Sequence, residues 1–214
     1  MKRFLAMSAA LTAACAAVAL VANAETEKSY DFTRFDELDT AAGVEVIYET
    51  GSAYSVVAHV RHGDPDDLKM RVEDGRLYIS RKSKISWGHD DLRVTVHVTS
   101  PELNAIEASS GSSVEASGIH ADLFSLRVSS GASVDASGTC SQIEAKASSG
   151  GSADARELKC ERAKATASSG GSVDAFASVE ATSKTSSGGS VDIWGDPANR
   201  EANDSISGGS TRFH

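Results

Sequence analysis

A short phrase built from Ser, Gly, Val and an acid returns six times in the second half of the chain. It reads "SSGSSVEA" from Ser109, "SSGASVDA" from Ser129, "SSGGSADA" from Ser148, "SSGGSVDA" from Ser168, "SSGGSVDI" from Ser186 and, in degenerate form, "ISGGSTRF" from Ile206. With Val114, Val134, Ala153, Val173, Val191 and Thr211 taken as equivalent, the steps are 20, 19, 20, 18 and 20 residues. A period near twenty is too short for a pair of helices. It suits one turn of a β-solenoid, three short strands with corners, in which each strand pairs with its copy in the next turn. A flexible Ser/Gly linker shares the composition but has no reason to keep a Val-acid-Ala triplet in phase.

Gly111, Gly131, Gly150, Gly170, Gly188 and Gly208 hold one place in the phrase, which predicts a structural corner of positive φ at that place in every turn. Residues alternate around the corner. Val134 and Ala136 are expected inward with Asp135 outward, and Leu126 and Val128 inward with Arg127 outward. The inward pairs Ala145/Ala147 and Ala165/Ala167, with aromatics at only 6% of the chain, imply a narrow interior filled by small side chains.

Residues 25–100 have a different texture. "GVEVIYET" and "YSVVAHV" flank Gly51-Ser52, and "LKMRVE" and "RLYISRK" flank Asp74-Gly75, both hairpin-like patterns. This segment is expected to form a β-rich cap on the solenoid of residues 101–214, the two making one continuous domain. Residues 1–24 read as a signal peptide: Lys2 and Arg3, an apolar stretch from Phe4 to Val21, and the cleavage pattern Ala22-Asn23-Ala24. Two other readings stay open there, a membrane anchor and a lipoprotein acylated at Cys15. No later stretch is apolar enough to span a bilayer. Cleavage deepens the formal charge of -9 by two, and a chain this acidic as a whole repels nucleic acid and anionic lipid.

The order of an export signal, "FDELDTAAGVEVIYETGSAYSVVAHV", "MRVEDGRLYIS" and repeated "SSGxSVDA" units resembles the head GIN domain family of auto-transporter adhesins, from about Phe32 to Phe213. The resemblance implies an all-β, right-handed parallel β-helix in a bacterial exported or envelope protein. It supplies no catalytic residue.

Glu115, Asp135, Asp154, Asp174 and Asp192 form one acid per turn, a candidate cation column of the oxygen-rich kind that calcium takes; the plainer reading is a solvated acidic face relieved by Arg127, Lys146 and Lys184. Cys140 and Cys160 stand at equivalent places in neighbouring turns, close enough for a disulfide in an oxidising compartment. His59, His62 and His89-Asp90-Asp91 are scattered, and Trp87, Trp194 and Phe176 are candidate aromatic contacts or cap packing. No nucleophile elbow, phosphate loop or zinc-protease motif occurs. These residues predict a non-enzymatic envelope module in the periplasm or at the cell surface that binds a glycan or an envelope protein without a cofactor. The alternative is a β-helical lyase or hydrolase acting on polysaccharide.

Overall fold

The structure is a computed structural model that describes residues 26–82, 92–205 and 207–214. The signal segment with Cys15, the Trp87 and His89-Asp90-Asp91 region, and Ile206 lie outside the described residues. The chain is 70% strand and 2% helix and forms a β-solenoid of about five turns, with about 20 residues in each.

Strands β9 (Ser113–Val128), β10 (Ser133–Ala147), β11 (Ser152–Ala167) and β12 (Ser172–Thr185) are each a whole coil bent around the interior. They pair in parallel, and β12 then pairs with both β13 (Gly189–Trp194) and β14 (Asn199–Asp204). The last strand, β15 (Gly209–Phe213), lies on β13. Val114, Val134, Ala153, Val173, Val191 and Thr211 are register partners in series, as the sequence period requires. Where three short strands per turn are expected, the ladder runs on through a bend after Ala136, at Gly138, marked by a register shift.

One side of the interior narrows along the axis. One inward column runs Ile106, Leu126, Ala145, Ala165, Ser183, exchanging large apolar groups for methyls and then a hydroxyl. The buried Ser183 is satisfied by Thr211, Oγ to Oγ1 at 2.9 Å. No buried side-chain nitrogen or oxygen among the described residues lacks a partner, as close-packed interiors demand.

The amino-terminal segment departs from the expected pattern of two hairpins. β5 (Leu68–Glu73) and β6 (Arg76–Arg81) do form one, turning through Asp74 and Gly75 at φ 50° and 81°. β3 (Glu45–Thr50) and β4 (Ser55–His62) do not pair, because β7 (Arg93–Ser100) lies between them, parallel to β3 and antiparallel to β4. The reason is that β3 is itself a rung, with a parallel partner on each edge, β7 and β9. β2 (Glu37–Thr40) is likewise held between β6 and β8 (Ala105–Ala108). The β2–β3 coil therefore sits between a coil made from β6 and β7 and the one that begins at β8, so spatial order differs from chain order. β1 (Thr26–Tyr30) closes this end against β4.

Candidate functional site

The face that carries the acid column is set by the turns. Each Ser-Ser-Gly phrase is a four-residue turn in which the amide of its fourth residue donates to the carbonyl of its first, for example Gly151 N to Ser148 O at 2.9 Å. Both central residues have positive φ: 49–53° at Ser110, Ser130, Ser149, Ser169 and Ser187, and 72–76° at the glycines that follow them. That is the twist signature of a type I′ turn. Gly208, in the last copy, has φ 84°. The glycine amides also donate to the serine carbonyl one turn along, as from Gly131 to Ser149 at 3.2 Å, so the turns are bonded to one another along the axis. The residues that follow therefore emerge in register.

Glu115, Asp135, Asp154, Asp174 and Asp192 are consecutive register partners and form a continuous outward row. The ladder just beyond the row is interrupted where β11 carries extra chain. Between Ala155 and Lys159 its pairing with β12 skips three residues, a bulge of the kind that redirects a side chain. Arg156, in the bulge, turns back to bond the Asp154 carboxylate through both its backbone amide and its guanidinium. The guanidinium also lies 5.9 Å from the centre of the Trp194 ring, and Lys159 Nζ lies 4.5 Å from that of Phe176. Trp194 donates from Nε1 to Asp174 at 3.4 Å and stacks on His214 at 4.1 Å. His214 Nε2 is 2.8 Å from Asp192, and Arg212 is 3.7 Å from the same carboxylate. The result is a groove of about 600 Å³ whose floor is the Glu115–Asp154 stretch and whose walls are the Arg156 bulge on one side and Phe176, Trp194 and Gly195 on the other.

A family model described as "Putative auto-transporter adhesin, head GIN domain" matches residues 34–197. The chain belongs to this family. Three solved structures share the head GIN domain's fold. One, named a putative adhesin, from Bacteroides fragilis, has a TM-score of 0.68 at 17% identity and covers 90% of this chain and 97% of its own. A putative lipid binding protein from Parabacteroides distasonis has a TM-score of 0.50 at 18% identity, covering 88% and 96%. A putative adhesin from Parabacteroides merdae has a TM-score of 0.50 at 13% identity, covering 88% and 95%. No curated protein matches the chain.

Within this head GIN domain, relief of the acid row comes from a different source than the sequence suggests. Arg127, Lys146 and Lys184 do line up, with Thr166 between the last two, but on the strand before the corner, and among the described residues they form no ion pair. Arg156 and Arg212 supply the countercharge instead. No group of three or more His, Cys, Asp or Glu among the described residues is arranged to hold a metal ion. Cys140 and Cys160 are bonded to each other, with Cα atoms 4.5 Å apart. His59 packs edge-on against His97 at 4.8 Å, away from the groove. Sequence reasoning missed Arg156 and the second bend glycines, Gly118 and Gly138; the latter left a signal in the repeated "ASG" after the acid.

The row also titrates unevenly. Burial, then the neighbouring Asp154 and Glu115, push Asp135 above the ordinary carboxylate value of 3.8. Burial likewise raises Asp174 despite its bond from Trp194. Asp154 moves the other way, held low by Arg156. A raised folded-state pKa means that the native state takes up the proton first, so this contribution to stability grows as pH falls from neutrality toward about 3.8. The Asp154 contribution is present above that value and is lost as pH falls below it. Thermal melts across this range should therefore show a maximum in mildly acidic solution. Asp135→Asn with Asp174→Asn should raise the neutral-pH melting temperature and flatten that maximum; an unchanged profile in the double variant would show the two carboxylates to be uncoupled from folding.

Proposed function

We propose that this adhesin-family protein is an exported, non-enzymatic envelope module whose groove binds a glycan. The observation that supports this reading is the bulge after Ala155, the largest register slip between the repeat coils, beside which a guanidinium, two aromatic rings and free-standing carboxylates surround one concave space. Sugars suit such a lining, since their C–H groups pack on aromatic ring faces and their hydroxyls donate to carboxylates and accept from Arg. An outward row of acids also disfavours lateral association, which suits a module presented in isolation. Among the described residues no helix is long and apolar enough to cross a membrane.

The test is an array of bacterial and host polysaccharides probed with the exported protein. Trp194→Ala and Arg156→Ala should each weaken the best ligand about tenfold or more, the scale of one lost contact worth about 1.4 kcal/mol. Binding that survives both changes would refute the groove as the site. A second reading draws on the opposed shifts of Asp135 and Asp154, a pattern shared with acid and base pairs of glycoside hydrolases. Release of reducing ends or of an unsaturated product, abolished by Asp135→Asn, would replace the binding function with a catalytic one.

A further inference from the structure

The end of the stack farthest from β15 has a different character from the groove. β1 and β5 are both edge strands there, each with a single partner, β4 and β6 respectively. Between them lies a recess of about 520 Å³ lined by Lys28, Lys69, Arg71 and Lys82 together with the half-buried Tyr30 and Met70. Four cations converge on one recess in a chain whose formal charge is -9. Two are partly occupied: Lys28 is 3.1 Å from Asp66, a carboxylate that also lines the recess, and Arg71 is 3.2 Å from Glu73 and 4.0 Å from the centre of the Tyr78 ring. Lys69 and Lys82 are exposed and form no ion pair among the described residues. The unpaired outer edges of β1 and β5 add backbone N–H donors to the same rim.

We infer that this capped end docks on anionic phospholipid headgroups. Lysines with free valence, edge amides and amphipathic Tyr30 and Met70 match a surface that offers phosphate oxygens above an apolar layer. The recess is concave, so it admits a protruding headgroup. Docking here stands the solenoid on its cap and directs the groove-bearing coils away from the bilayer.

The test uses protein recovered after export from cells that express the full chain. Flotation is carried out with vesicles of phosphatidylcholine alone and with about a third phosphatidylglycerol, at low and high salt. Binding is expected only to the anionic vesicles and only at low salt. Lys69→Glu with Lys82→Glu should weaken it at least about twenty-fold, since each charge near such a surface is worth roughly fivefold. The milder Lys69→Gln with Lys82→Gln, checked by an unchanged melting temperature, separates loss of charge from loss of fold. Equal binding to neutral vesicles, or indifference to both double variants, overturns the proposal. Displacement by millimolar inorganic phosphate would reassign the recess to the free anion, and lysine-dependent self-association without vesicles would reassign it to a second copy.

Discussion

Gly189→Ala is expected to unfold the carboxy-terminal coils or to cost about 3 kcal/mol or more, whereas Gly188→Ala, one residue earlier, should cost only about 1–2 kcal/mol. The two glycines do different work. At Gly188 a Cβ would meet nothing within 4 Å, and the penalty is the left-handed backbone at φ 76° alone. At Gly189 a Cβ would lie 2.4 Å from the carbonyl carbon and oxygen of Ala167 in the preceding coil. Those are main-chain atoms held in the ladder, so neither side can give way. Gly151 and Gly171 are in the same position, 2.6 Å from backbone atoms of the coil before. Urea melts of the two variants side by side would check the ranking. Equal losses would mean that conformation, not close approach, governs the turn.

Removing the disulfide should lower stability by roughly 3 kcal/mol, the loop-entropy value for a closure of about twenty residues. Cys140 and Cys160 are both buried and stand in a column with Ala121 before them and Ala177 after. Cys140→Ala with Cys160→Ala therefore replaces the bridge with the residue already used above and below it. The coils should still stack, with unchanged strand content by circular dichroism and a lower denaturation midpoint. Wild-type protein under reducing conditions should match the double variant. A double variant as stable as the oxidised protein would show that the ladder alone fixes these two coils.

The period of the serine-glycine phrase made much of this architecture legible, because in a parallel stack residues one period apart are neighbours by construction. Asp135 and Asp154, or Cys140 and Cys160, could be paired on paper by counting alone. What counting could not reach depends on departures from the period. Arg156 reaches Asp154 only because Arg156, Glu157 and Leu158 interrupt the pairing with β12, and a count that treats every step as a plain coil gives those residues no direction. His214 and Arg212 reach Asp192 from the last strand, where the phrase has degraded to "STRF". The false hairpin has a similar origin. "GVEVIYET" alternates as any half-buried strand does, and alternation names a buried face but not the partner at the edge. The shift from "SSGSS" and "SSGAS" to "SSGGS" was visible as well; its meaning, that a Cβ at Gly151, Gly171 or Gly189 would strike the backbone of the coil before, needed coordinates.

The interleaved rung formed by β2 and β3 carries a cost for biogenesis. A polypeptide emerging amino-terminus first delivers this rung before either neighbour exists: β6 and β7 follow some thirty to fifty positions later, and β8 and β9 later still. Until then two bare β edges wait in the open, and nucleation cannot spread coil by coil from the start as it does in a simple repeat array. Maturation of the stack must begin downstream and close backwards, which leaves the nascent chain exposed to edge-to-edge association until the flanking coils are made.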